Sequence, residues 1–257
     1  MLNMQETEGK TPERRLPPGG PFRPYRSEAA MFAERYKRNC LLSETEQMRL
    51  AEGRVLIVGL GGLGGHVLDM LARMGVGRIV GADGDVFEPS NLNRQLLCTE
   101  KRLGMNKAEA ARLHVAEVNS EIAFTAIPRF VRGPELEALA QEADVIVDAL
   151  GGLRDRAALQ SAAARAGAPL VSAGISGLTG WMAVVLPGEE GPAAYLGAGD
   201  EGGGGVEEKE GNLAPTAALA AALQAAEVLK LLTGKPHQKG LLLFDLAENV
   251  FAPLEWN

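Results

Sequence analysis

Apolar and polar positions change period repeatedly along the chain, and each change marks an element. Arg54–Val58 is a short β-branched apolar run, the composition of a strand buried on both faces. Leu63, Val67, Leu71 and Met74 then recur at helical spacing, with Leu68 on the same side. Arg78–Ala82 returns to a strand-like run. Upstream, Ser43-Glu44-Thr45-Glu46 has capping-box spacing and predicts a helix that Gly53 ends, and residues 27–38 read as an earlier one. Downstream, helices are predicted over Lys107–Val118, 134–142, 157–166 and 212–232, the last stopped by Gly234. Strands are predicted over 122–127, 144–150, 169–172, 180–187, 241–246 and 249–254. The alternation predicts an α/β fold: a Rossmann-like, mostly parallel sheet with helices on both faces, extended by C-terminal antiparallel strands.

Composition adjusts the ends of this picture. Residues 1–26 are polar and carry Pro12, Pro17, Pro18, Pro21 and Pro24, so a loosely ordered arm is expected before a single domain over 27–257. Residues 188–211 include Gly202-Gly203-Gly204-Gly205 and a charged run, which predicts a mobile loop. A net charge of −7 argues against a nucleic-acid partner. Two cysteines, Cys40 and Cys98, make no disulfide framework, which fits a reducing, cytoplasmic setting. The start, MLNMQETEGK, has no apolar core of a secretory signal. The longest apolar stretch, 214–232, is broken by Gln224, Glu227 and Lys230, so no membrane span is expected.

The candidate chemistry lies between the first two strands. Gly59, Gly61, Gly62 and Gly64 follow strand one directly, where a side chain would keep a phosphate off the backbone and a helix start offers it free N–H groups. Asp83, nineteen residues past Gly64, ends strand two and is placed to accept hydrogen bonds from ribose hydroxyls. A tight turn without a ligand would need only the glycines, and a nicotinamide-dependent oxidoreductase would need only the glycines and Asp83. Neither needs the next residues, Asp85, Asn91, Arg94, Gln95 and then Lys107. An Arg and a Lys beside the phosphates suit attack at the α-phosphate of ATP, where negative charge develops.

GLGGLG, the run from Asp83 through Ser90-Asn91-Leu92-Asn93-Arg94-Gln95, and Lys107 together resemble the ATP-dependent adenylyltransferases of the molybdopterin and thiamine pathways, bacterial relatives of the ubiquitin-activating enzymes. The resemblance runs from about Arg35 to near the C-terminus. It implies that the C-terminal carboxylate of a small ubiquitin-like sulfur-carrier protein, ending in Gly-Gly, is joined to AMP with release of pyrophosphate. It implies that Arg94 and Lys107 contact the phosphates, that Asp83 holds the ribose, and that Asp85, Asn91 and Gln95 line the site. Relatives carry an RYxRQ sequence whose second Arg reaches the ATP of the neighbouring subunit of a homodimer. Arg38 matches that Arg, and Asn39 replaces the Gln.

Three departures from the family pattern stand out. Relatives have DxxDN at the end of the fourth strand, with the second Asp serving Mg²⁺; here Asp148 matches the first Asp and Gly151 takes the place of the second. Asp148 or Asp85 is then the carboxylate expected to serve the metal, with Asp148 the first choice. There is no CxxC pair for the family's structural zinc. Residues 187–213 contain no cysteine, so a thioester or acyl-persulfide through that loop is excluded. A family member that keeps ATP and carrier recognition but has weakened turnover is the competing expectation, and Gly151 supports it.

Overall fold

The computed structural model describes residues 34–152, 155–192 and 210–254. The chain divides into two compact units, Met1–Arg38 and Asn39–Asn257. In the first, the described residues are a helical Glu34 and Arg35 followed by a turn over 36–38, with Lys37 Nζ 3.3 Å from the Glu34 carboxylate. The expected helix over 27–38 and the arm before it lie otherwise outside the described residues, as does most of the loop expected over 188–211.

The second unit is an α/β domain. Its elements are α1 (Glu44–Glu52), β1 (Arg54–Val58), α2 (Gly64–Met74), β2 (Arg78–Ala82), α3 (Lys107–Val118), β3 (Ala123–Ile127), α4 (Gly133–Gln141), β4 (Val145–Asp148), α5 (Arg156–Ala166), β5 (Leu170–Ser176), β6 (Thr179–Val185), α6 (Ala214–Thr233), β7 (Gly240–Asp245) and β8 (Val250–Leu254). One eight-stranded sheet runs β3-β2-β1-β4-β5-β6-β7-β8. The first five positions in that order pair in parallel, and β6, β7 and β8 are antiparallel. The expected architecture is therefore present, including its antiparallel extension.

Strand alternation divides the interior in two. Val55 and Ile57 of β1 and Val145 and Val147 of β4 pack with the buried faces of α1, α2, α3 and α6. Leu56, Val58 and Ile146 point the other way, onto α4 and α5. Near-continuous apolar strands are what burial on both faces requires. At the start of α1 the capping box forms as its sequence predicts: Ser43 Oγ accepts the Glu46 N–H at 3.2 Å, and Glu46 accepts the Ser43 N–H at 2.7 Å.

Among the described residues, α6 is the one helix long and apolar enough to cross a membrane. It is the central helix of one layer here, with Ala217, Ala220, Ala221 and Val228 wholly buried against the sheet. Gln224, one of the polar residues that interrupt it, donates from Nε2 to the carbonyls of Asp148 (2.8 Å) and Val171 (3.1 Å), so it ties the helix to the end of β4 and the start of β5.

Strand order reverses at β1, whose chain leaves to β2 on one side while β4 pairs on the other. Val58 is level with Ala82 on β2 and with Asp148 on β4. Everything immediately past those three positions shares one edge of the sheet, the place where open α/β sheets bind ligands.

Candidate active site

A cleft of about 370 Å³ opens at that edge. Its floor is the glycine turn after β1. Gly59 has φ +92°, and a Cβ there would lie 2.5 Å from the Ala149 carbonyl oxygen. A Cβ on Gly64 would lie 1.9 Å from the Gly59 oxygen. These two glycines are demanded by the turn itself. Gly61 and Gly62 differ: an added Cβ would make only ordinary contacts, with Gln95 at 3.5 Å and Arg94 at 3.7 Å. Both line the cleft, so the space they leave free faces a ligand. The first turn of α2 has no side-chain cap; the Gly65 N–H turns back to the Gly61 carbonyl at 3.2 Å, and the helix start presents its positive end to the cleft.

Asp83 directly follows β2 and is 8% exposed. Its Oδ2 accepts the Leu60 N–H at 2.7 Å and its Oδ1 accepts the Asp85 N–H at 2.9 Å. The carboxylate thus pins the glycine turn to the next strand, a task its position in sequence does not reveal. Burial pushes its carboxyl above the usual range, against the opposing pull of Lys107 and the two N–H groups.

Lys107 begins α3, behind an Asn106 cap whose Oδ1 accepts the N–H groups of Ala108 and Glu109. Asn106 Nδ2 donates back to the carbonyls of Asp83 and Asp85, at 3.2 and 3.0 Å, so the helix start is fixed to the end of β2. The Lys107 side chain is 9% exposed and its Nζ meets Asp85 Oδ2 at 3.0 Å. An ammonium this enclosed, opening on a cleft beside a glycine turn, is far more effective on a phosphate than a surface lysine.

The segment after β2 supplies the opposite wall. A short 3-10 turn over Pro89–Asn91 and the residues after it bring Asn91, Arg94 and Gln95 to the cleft. Arg94 Nη1 donates to the Ser90 carbonyl (3.1 Å) and to Asn93 Oδ1 (2.9 Å). Among the described residues, Oε1 of Gln95 and Oδ1 of Asn212, both on the cleft wall, are buried without a hydrogen-bond partner. Buried acceptors are rarely left unpaired, so these two mark where a ligand's N–H or O–H groups fit. Nearly every residue expected at the site, from Gly59 to Lys107, therefore converges here. Arg38 belongs to the Met1–Arg38 unit, where it is exposed.

Asp148 is the exception within the domain. It is 1% exposed and does not line the cleft. Its Oδ2 receives Arg156 Nη1 at 2.7 Å and Ser172 Oγ at 2.6 Å, and its Oδ1 receives the Leu150 N–H at 3.1 Å. Arg156 also donates to the carbonyls of Leu150 (2.6 Å) and Gly152 (2.9 Å), and its guanidinium lies 5.3 Å over the Trp181 ring. This pair turns the chain away from the sheet after Asp148, which is why β4 stops there instead of continuing to 150. Arg156 itself lines the cleft, and the sequence reading passed over it. Its signal was an Arg opening a helix eight residues after a strand-end Asp, a pattern too common to single out.

The loop after β3 adds Arg129, Phe130 and Arg132, also missed. Arg132 pairs with Asp155 across the cleft mouth at 2.7 Å and stacks on Phe130 at 5.5 Å. The rule that ligands gather past the carboxyl ends of parallel strands would have found them.

The carboxylates near this cleft do not fit a protein-held Mg²⁺. Those of Asp83, Asp85, Asp148 and Asp155 are each engaged by the donors just described, and position 151 is a glycine. Among the described residues no cluster of three or more His, Cys, Asp or Glu groups is placed to hold a metal. Cys98 is buried and packs in the hydrophobic core, and burial pushes its thiol above the usual range.

Fold and site together define a doubly wound α/β protein whose glycine turn opens on a cleft lined by Arg94 and Lys107. The chain belongs to the ThiF family, which it matches over residues 36–255. It is similar to the sulfur carrier protein ThiS adenylyltransferase of Bacillus subtilis (strain 168), with 34% identity over 220 residues, 84% of this chain and 66% of that protein. It is likewise 33% identical over 220 residues to the molybdopterin-synthase adenylyltransferase of Escherichia coli (strain K12), covering 82% of this chain and 87% of that protein. Among solved structures, E. coli MccB with ATP superposes with a TM-score of 0.72 at 27% identity, covering 86% of this chain and 71% of that one. The chain spans just under two thirds of the B. subtilis protein. The family expected from the sequence is thus the one found.

Proposed function

We propose that the protein is an ATP-dependent adenylyltransferase that activates the C-terminal carboxylate of a small ubiquitin-like sulfur-carrier protein, ending in Gly-Gly, as an acyl-adenylate with release of pyrophosphate. The observation that carries this reading is the enclosed Lys107 ammonium opening on the same cleft as Gly61, Gly62 and Arg94. Bringing a carboxylate to a triphosphate sets like charges together, and fixed cations offset that repulsion without reorganising. Lys107 and Arg94 hold the phosphates. Asp83, whose oxygens each accept one backbone N–H, has lone pairs left for the ribose hydroxyls. Gln95 and Asn212 offer acceptors to the incoming tail or to the nucleotide.

The reading includes a homodimer in which Arg38 completes the neighbour's site. Its support is the resemblance of Arg35-Tyr36-Lys37-Arg38 to the family's sequence, with two-fold pairing the commonest oligomer. Arg38→Ala and Lys107→Ala chains are each expected to lose carrier-dependent pyrophosphate exchange. Mixed and allowed to exchange subunits, they are expected to recover about a quarter of wild-type activity, because random pairing makes half the dimers mixed and each mixed dimer holds one intact site. No recovery in dimers shown to be mixed would place Arg38 within its own chain's site or outside it.

A further inference from the structure

Resting on the nucleotide reading of the cleft, we infer that this protein gives no carboxylate ligand to a divalent cation: nucleotide phosphates are held by its own cations and backbone N–H groups, any Mg²⁺ arrives and leaves as part of the nucleotide, and Gly151 is the open position from which a metal ligand is missing.

The inference comes from how each nearby acid is spent. Asp148 is enclosed and takes three donors, from Arg156, Ser172 and Leu150. Turning it toward a metal would strand a guanidinium that is itself only 4% exposed. Asp83 uses one lone pair of each oxygen on the turn it pins, and in the proposed function the remaining ones go to the ribose hydroxyls. Asp85 meets Lys107 at 3.0 Å through one oxygen, and a metal on Asp85 would set a second positive charge beside that enclosed ammonium. Asp155 meets Arg132 through both oxygens, at 3.3 and 2.7 Å. Arg94, by contrast, bonds only neutral oxygens among its described contacts, so its charge is available to a phosphate. Position 151 lies on the cleft wall just past β4, and a Cβ built there meets no atom of the described residues within 4 Å. A side chain added at that point has open space before it among the described residues. Mg²⁺ needs one or two carboxylates beside phosphate oxygens and water, and one residue here would supply the first.

The test is ATP binding measured by calorimetry, in EDTA and in excess Mg²⁺, on the wild type and on Gly151→Asp. Wild-type affinity is expected to change by less than about threefold between the two conditions. Gly151→Asp is expected to bind at least about tenfold more tightly with Mg²⁺ than without it. Wild-type binding that tightens tenfold or more with Mg²⁺ overturns the inference and leaves the nucleotide reading standing. So does a Mn²⁺ site in the nucleotide-free wild type, seen by electron paramagnetic resonance and removed by Asp155→Asn or Asp85→Asn. A folded Gly151→Asp without metal coupling overturns the assignment of position 151. No ATP binding in either condition overturns the nucleotide reading, and the inference with it.

Discussion

Replacing Arg156 with Ala is expected to destabilise the protein by about 3–5 kcal/mol, because it leaves Asp148 as an unpaired carboxylate in the interior. For a domain of this size that is a fall in melting temperature of roughly 10 °C. The loss extends beyond the pair, since Arg156 also binds the carbonyls of Leu150 and Gly152 and lies on Trp181. The loop that shapes one wall of the cleft would lose its anchor, so ATP affinity is expected to fall too. Asp148→Asn should destabilise as well, while residual exchange per folded molecule stays near wild type. Thermal denaturation and exchange measured on the same samples check both. A melting temperature within about 2 °C of wild type for Arg156→Ala would show that the pair is not structural.

The second large effect separates glycines that shape the turn from those that face the ligand. Gly61→Val is expected to leave the fold intact, since the nearest atom to its Cβ is the end of the Gln95 side chain at 3.5 Å. Its methyl groups would stand where phosphate approaches the backbone, so ATP affinity should fall about a hundredfold or more and nucleotide-induced stabilisation should disappear. Gly64→Val should fail earlier: its Cβ would meet the Gly59 oxygen at 1.9 Å, and soluble folded protein should not accumulate. Calorimetry and circular dichroism on the two variants report the contrast. Unchanged ATP affinity in a folded Gly61→Val would remove the glycine turn from the site.

Most of the fold was legible because local pattern and burial agree. The spans Arg54–Val58, Arg78–Ala82 and Lys107–Val118 are where the sequence places them. Disagreements fall where contacts distant in sequence decide. Strand β4 was expected to reach 150 but ends at Asp148, because Arg156 draws the next residues out of the sheet. Strand β5 was expected to end at 172 but continues to Ser176. Its Gly174 weakens the strand pattern, yet a glycine is required there, since a Cβ would lie 2.7 Å from Trp181 Nε1 across the hairpin.

The site shows the same division. Residues from Gly59 to Lys107 were legible because they cluster in sequence around one βαβ unit. Arg132, Arg156 and Asn212 reach the cleft only through the order of strands, and no local pattern marks them. The position of Asp148 at a strand end was read correctly, whereas its partner, eight residues on, was invisible until the helix start was placed beside it.

The central claim, that this cleft joins a carboxyl terminus to AMP, is tested most directly by exchange of labelled pyrophosphate into ATP. The probes are a diglycine-tailed sulfur-carrier protein and the same carrier lacking its last glycine. Exchange that requires the full tail and is lost in Lys107→Ala is the predicted result. Exchange indifferent to the tail, or none in wild-type protein that binds both ATP and the carrier, would contradict the account and leave a binding module of the same family.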